Sequence, residues 1–241
     1  MKTVIVQDYD AMSRLLAEMV EEVVNGSERP VLGLATGSTP VGAYKLLAEF
    51  FAQKKLSFKN VRTVNLDEYV GLGSRDTQSY VSFMHRNLFD LVDLPRENTH
   101  IPDGMAADIL QECLRYSEVL QHNVQDLQIL GLGTNGHIGF NEPNTSFDET
   151  THLVELSAST IAANARFFDE PSQVPTQAIT MGIAEIMRAK KIVVVASGSN
   201  KAQAVFDMVR GEVSERCPAS ILQTHPDCTL IVDKLAAKLI L

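Results

Sequence analysis

The chain lacks the features that announce several large classes of protein. Its three cysteines, Cys113, Cys217 and Cys228, have no metal-ligand spacing and form no even set. That argues against a disulfide framework or a zinc ribbon and leaves free thiols in a reducing compartment. Clustered lysine and arginine are missing too. The longest basic run is Arg188-Ala-Lys-Lys191, a pattern that closes a helix, and the formal net charge is −9. No basic face for nucleic acid is therefore expected. No stretch approaches the ~18–20 apolar residues of a membrane span, and MKTVIVQDYDAM holds too short an apolar run for a signal peptide. A cytoplasmic protein with a small-molecule partner, and neither nucleic acid nor membrane, is the expectation. The Gly-Lys-Ser/Thr ending of a nucleotide loop and the Gly-x-Ser-x-Gly elbow of a serine hydrolase are both absent. His85, His100, His122, His152 and His225 are scattered without a metal pattern, so no metal is expected. There are no repeats, low-complexity tracts or linkers, and residues 1–241 read as one domain.

What is present is a core. At 241 residues and 45% hydrophobic content, the chain suits one α/β domain. Short apolar runs at 3–6, Pro30–Ala35, Val61–Leu66, Leu127–Leu132, Lys191–Ser197 and Thr229–Val232 predict strands. Helical spacing predicts helices from Asp8 or Asp10 to about Val24, from Pro40 to about Gln53, and over 78–91, 106–125, 159–166, 176–189 and Asn200–Arg210. In the first of these Leu15, Leu16, Met19, Val20, Val23 and Val24 share a face. Thr39 is the expected cap of the second, with Pro40 at its first position. The 144–156 region reads as less regular. Strands alternating with helices, several of them wholly apolar, predict a mostly parallel sheet covered on both faces. Ligands of such sheets bind beyond the carboxyl ends of the strands. Four polar segments fall there: Thr36–Pro40, Asp67–Tyr69, Gly133–Glu142 and Ser197–Lys201.

The richest segment is Leu130-Gly-Leu-Gly-Thr-Asn-Gly-His-Ile-Gly-Phe-Asn-Glu-Pro143. Gly131, Gly133 and Gly136 permit tight turns and close approach to a ligand. Among them sit one imidazole, His137, and one carboxylate, Glu142, with Asn135 and Asn141 beside them. Histidine suits proton transfer near neutral pH, and Glu142 either orients it or acts as an acid itself. The alternative is a structural loop histidine, which the three glycines argue against. Asp67, directly after a strand, is either a general base or a turn cap. Thr36-Gly37-Ser38-Thr39 and Ser197-Gly-Ser-Asn-Lys201 each lead from a strand into a helix, where free N–H groups and hydroxyls favour an anion. Either is also an ordinary helix start. Lys201 in a first helical turn is unfavourable unless an anion lies nearby. Arg166 is a surface arginine or, near the site, a bidentate clamp for a phosphate. With the net charge negative, a few placed cations would have to hold any anionic ligand.

These segments together resemble the glucosamine-6-phosphate deaminase (isomerase) family. The resemblance rests on Leu32-Gly-Leu-Ala-Thr-Gly-Ser-Thr-Pro40, Asn65-Leu-Asp-Glu-Tyr-Val-Gly71, Gly131 to Pro143, Asn164-Ala-Arg-Phe-Phe168 and Gly198-Ser-Asn-Lys201. It implies a Rossmann-like α/β fold and no redox cofactor. It also implies conversion of glucosamine 6-phosphate and water to fructose 6-phosphate and ammonia. By the same resemblance Asp67 is the base that moves a proton between C2 and C1. His137 opens the pyranose ring with Glu142 as its partner. Arg166, Lys201 and the Ser38–Thr39 turn hold the phosphate. Related 6-phosphogluconolactonases share a Gly-His loop but lack the Phe-Asn-Glu-Pro continuation. A lactonase-type hydrolase and a sugar-phosphate-sensing module are the competing readings.

The sequence departs from the family pattern in two places. Some members carry Asp where this chain has Asn135, which cannot ionise. Asn135 is expected to orient His137 or the sugar by hydrogen bonds, leaving Glu142 as the loop's one carboxylate. In allosterically activated hexameric members, basic residues soon after this loop and a C-terminal extension help form the activator site. Here Ser146-Phe-Asp-Glu-Thr-Thr-His-Leu-Val154 is acidic. The expectation is a monomer that N-acetylglucosamine 6-phosphate does not activate.

Overall fold

Apolar, β-branched runs become the interior of one sheet. A computed structural model describes residues 1–168, 170 and 173–241. Its large sheet comprises β1 (Lys2–Val6), β2 (Val31–Leu34), β3 (Arg62–Asn65), β5 (Thr99–His100), β6 (Leu127–Gly131), β9 (Ile192–Ala196) and β10 (Cys228–Asp233). Their order is β1-β10-β9-β6-β2-β3-β5, and every pairing is parallel. β9 and β10 are buried along their whole length, as strands covered on both faces must be. From β2 the chain winds outward to β3 and β5, then returns to the other side for β6, β9 and β10. The direction of winding reverses between β2 and β6, and such a point opens a crevice at the strands' carboxyl ends.

A second, antiparallel sheet has the order β4-β8-β7, made of β4 (Asp67–Tyr69), β8 (Gln177–Thr180) and β7 (His152–Glu155). It corrects two expectations. The helix expected over 176–189 is instead β8 followed by one short helix, α6 (Ile183–Ile186). Ile179 and Thr180 are β-branched, and β8 finds partners on both edges, so pairing outweighs the helical spacing. The irregular 144–156 region likewise contains β7. Thr99–His100 forms an edge strand that no run of apolar residues announces.

The helices are α1 (Tyr9–Gly26), α2 (Val41–Ala52), α3 (Tyr80–Asn87), α4 (Ile109–His122), α5 (Ala158–Asn164), α6 and α7 (Ala202–Arg210). α1 starts where Asp8 accepts from the Ala11 N–H, and it buries Met12, Leu16, Val20 and Val24 at i, i+4 spacing. The start of α2 differs from expectation. Pro40 occupies the cap position, and no side chain of the turn caps the helix. The Tyr9 hydroxyl does so from α1, accepting from Gly42 N–H at 2.9 Å and donating to Ser38 O at 3.1 Å. A capping group supplied by another helix leaves the Thr39 hydroxyl unspent on the helix. All three cysteines are free, with Cys113 and Cys228 buried. Among the described residues, no helix is long and apolar enough to cross a membrane.

Candidate active site

Four neighbouring strands, β3, β2, β6 and β9, end at one cavity of about 440 Å³. The turn after β2 contributes Thr36, Gly37, Ser38 and Thr39. Gly37 has φ +85°, a conformation closed to most side chains, and so lets the turn present its backbone to the cavity. Asp67 follows β3, His137 comes from the loop after β6, and Lys201 lies at the turn after β9. Arg166 arrives from the short 3₁₀ turn after α5.

The glycine loop is shaped around its imidazole. A Cβ on Gly133 would come within 2.5 Å of three His137 ring atoms, so the ring lies across a position where only glycine leaves space. Gly133 N–H donates to His137 O at 2.9 Å, closing the loop. Asn141 is fully buried and donates to Ile138 O and Met181 O, which fastens the loop to the end of β8.

Asn135 and Glu142 stand behind the cavity wall and touch His137 from there. Asn135 Oδ1 accepts from the His137 backbone N–H at 3.2 Å, and its Nδ2 donates to Glu142 Oε2 at 2.7 Å. His137 Nδ1 lies 3.6 Å from the same Oε2, an ion-pair distance just beyond hydrogen-bond reach. The other oxygen, Oε1, accepts from the Thr160 hydroxyl and from the Ser157 hydroxyl at 3.0 Å. Burial pushes the Glu142 carboxyl up. The His137 imidazole, the Thr160 hydroxyl and the Asn135 amide outweigh it and hold the group down at about 2.

Asp67 has the opposite environment. Its carboxyl accepts no hydrogen bond from the described residues. Burial, and then the adjacent Glu68 carboxylate, push it up to about 8. Burial pushes Glu68 up to about 7 as well, although three backbone N–H groups oppose the rise.

The same cavity carries positive charge. Arg166 Nη2 donates to Ser38 Oγ at 3.3 Å, and Lys201 Nζ donates to Leu132 O at 2.6 Å. Burial, with Arg166 facing it, lowers Lys201 below the ordinary lysine range. The turn carrying Lys201 is tied down by Asp233 of β10, whose Oδ2 accepts from Ser197 Oγ at 2.6 Å and Gly198 N–H at 2.9 Å. Two cations, helix-start N–H groups and hydroxyls together make an anion cradle. Among the described residues, no three His, Cys, Asp or Glu side chains are placed to hold a metal ion.

Of the residues given a catalytic or phosphate-binding role from sequence, all except Asn135 and Glu142 line the cavity. Tyr80, Phe140, Thr160, Asn164 and Asn200 line it too and had no role in the sequence reading. Asn164 and Asn200 lay inside segments already noted. Tyr80 carried no local signal, because its place in the wall depends on how α3 packs beside β4.

Fold and site define the class: a doubly wound, Rossmann-like α/β protein with an acid/base centre and an anion cradle at its switch point. The chain belongs to the family of glucosamine-6-phosphate isomerases and 6-phosphogluconolactonase, whose sequence profile matches residues 7–231. It is 49% identical over 241 residues to a glucosamine-6-phosphate deaminase of Thermoanaerobacter pseudethanolicus, covering 100% of this chain and 95% of that one. Identity to the Oceanobacillus iheyensis deaminase is 51% over 237 residues, or 98% of this chain and 95% of that one. A solved structure described as a monomeric glucosamine-6-phosphate deaminase matches with TM-score 0.98 at 43% identity, covering 99% of this chain and 100% of that one. The 6-phosphogluconolactonase of Trypanosoma brucei shares the fold, with TM-score 0.81 at 18% identity over 100% of this chain and 98% of that one.

Proposed function

We propose that this chain converts glucosamine 6-phosphate and water to fructose 6-phosphate and ammonia. The observation that carries the reading is the set of groups the cavity brings together. A buried carboxyl that accepts no hydrogen bond from the described residues, an imidazole, two cations and a hydroxyl-bearing turn all line it. An open-chain sugar phosphate needs both sets, proton-transfer groups for C1 and C2 and cations for its phosphate. Identity near half of the chain to named deaminases supports the same reading.

Ring opening moves a proton from the C1 hydroxyl to the ring oxygen, and His137 is the group for that transfer. Glu142, ionised and held by Asn135, Thr160 and Ser157, orients the imidazole and stabilises its charged form. The freed C1 carbonyl acidifies the C2 proton. Asp67 takes that proton as O1 gains one, giving an enolamine, and returns it to C1 as the nitrogen gives up one of its own, leaving an imine at C2. Water adds there and ammonia leaves. No step needs an oxidant or reductant. Arg166, Lys201, Ser38, Thr39 and the N–H groups of the Thr36–Gly37 turn hold the phosphate, so remote binding energy aligns C1 and C2 with the base.

The reading extends to a cytoplasmic monomer of one domain, residues 1–241, without activation by N-acetylglucosamine 6-phosphate. The acidic 146–154 segment supports the last point, and the solved deaminase described as monomeric supports the first. The test is ammonia and fructose 6-phosphate formation from glucosamine 6-phosphate, with Asp67→Asn as control. Stoichiometric release by the wild type, lost in the variant, is the expected result. No release by the wild type, with hydrolysis of a 6-phosphogluconolactone, would overturn it. A rate curve that is sigmoidal until the acetylated sugar phosphate is added would overturn the regulatory part.

A further inference from the structure

Asp67 and Glu68 are consecutive on β4, so their side chains leave the strand on opposite faces. Asp67 reaches the cavity and Glu68, 1% exposed, points away from it into the protein. Glu68 Oε1 accepts from the backbone N–H groups of Tyr69 and Tyr80, and Oε2 from that of Val81, each at 2.9 Å. Tyr80 and Val81 open α3. The local cap, Ser79, takes only the Ser82 N–H of that first turn, at 3.1 Å. A carboxylate from the base's own strand therefore satisfies the donors that the local cap leaves.

We propose that Glu68 is the positioning residue of the proton-transfer base. It fastens the strand end carrying Asp67 to the helix start carrying Tyr80, and it places a second ionisable carboxyl beside Asp67. This rests on the reading of Asp67 as the base.

The mechanical part follows from the contacts. Tyr80 forms part of the cavity wall, and its ring centroid lies 4.7 Å from that of Tyr69, the next residue after Glu68. Strand and helix cannot shift separately without breaking buried hydrogen bonds to the Glu68 carboxyl. The electrostatic part follows from burial. No cation forms an ion pair with either carboxyl among the described residues. The groups facing Asp67 are Tyr69 from its own strand, Tyr80 from α3, Tyr116 from α4 and, in the same cavity, His137 of the glycine loop. Asp76, ahead of α3, adds its charge on the Glu68 side. An ionised Glu68 makes Asp67 hold its proton more tightly, and a base that binds its proton more tightly removes one from carbon faster.

The test compares the pH dependence of kcat/KM for glucosamine 6-phosphate in the wild type, Glu68→Gln and Glu68→Asp. The substrate's own ionisations are common to all three and cancel in the comparison. In Glu68→Gln the rising limb moves to lower pH and the plateau drops about two- to fivefold, as a weaker base requires. Glu68→Asp keeps the charge and leaves the limb near its wild-type place. An unmoved limb in Glu68→Gln, with only a lower Tm, would make Glu68 purely structural and overturn the proposal. Should Glu68→Gln fail to fold, a carbon-13 carboxyl titration of the wild type decides. Two coupled steps for Asp67 support the proposal, and one simple step overturns it. Loss of the functional reading itself looks different: the wild type then releases no ammonia, or Asp67→Asn releases it undiminished.

Discussion

Two carboxylates serve this cavity, and their surroundings pull them in opposite directions. Asp67, at the end of β4, is buried, accepts no hydrogen bond from the described residues and is pushed up to about 8. Glu142, in the glycine loop, is also buried, but an imidazole, an amide and two hydroxyls hold it down at about 2. Burial alone raises both, so the difference lies in the partners. A carboxyl left without partners becomes a strong base, and one wrapped in donors becomes a fixed charge that orients something else.

The sharpest break of that contrast is Asp67→Asn. It should lower kcat by about 10²–10⁴-fold, the usual worth of a positioned proton-transfer group, with the fold retained by circular dichroism. Stability supplies the complementary check. Asp67 is raised above its ordinary 3.8. Its contribution is therefore full below that value and is lost as pH climbs through about 8. Asparagine escapes the loss. Asp67→Asn should thus match the wild type in Tm near pH 4 and exceed it by several degrees near pH 8. Equal Tm values at both pH values would mean that Asp67 ionises freely in the native state.

Removing the cradle should cost less and cost it elsewhere. Arg166→Ala and Lys201→Ala each lose charge-assisted hydrogen bonds worth about 1.5–3 kcal/mol, or roughly 10–150-fold. The loss should fall mainly on KM for the phosphorylated sugar. A drop confined to kcat would move these cations to the reacting end.

Glu142→Gln tests the other half of the contrast. Its activity should fall about tenfold, because glutamine keeps the shape but not the charge facing His137. Here the sign of the pH effect reverses. Glu142 is depressed below its ordinary 4.5, so its contribution is present above that pH and is lost as pH falls toward about 2. The Tm gap between wild type and Glu142→Gln should be widest above pH 5 and close near pH 2–3. A gap independent of pH would show that packing, not charge, explains it.

The smallest effect is expected from Asn135→Asp, a few-fold in rate. A second carboxylate 2.7 Å from Glu142 Oε2 would force the pair to share a proton and move the acid limb of the rate profile upward. An unchanged profile would leave residue 135 little part in ring opening.

Much of this was legible in the residues. Several of the parallel strands are apolar runs, and the polar segments that follow them needed only the rule that ligands bind at strand ends. The glycine loop marked itself by composition, with His137 and Glu142 inside it. The antiparallel sheet was not legible. Gln177–Thr180 has helical spacing within a longer window, and only the two strands that flank it make it a strand. The cap of α2 was misread for the same reason, since Tyr9 is far from Gly42 in sequence and adjacent in space.

By itself the sequence determined the alternation of strands and helices, the order in which the polar turns meet the sheet, and the residue types that can move protons and bind a phosphate. These follow from local periodicity and from glycine's freedom at turns, which neighbouring residues carry. Tertiary structure alone decided which carboxyl is pushed up and which is held down. Desolvation and hydrogen-bond partners come from distant segments: β8 and α3 around Asp67, α5 and the loop around Glu142. Neither carboxyl's proton affinity was readable from the chain, because it is set by groups that only folding brings within a few ångströms.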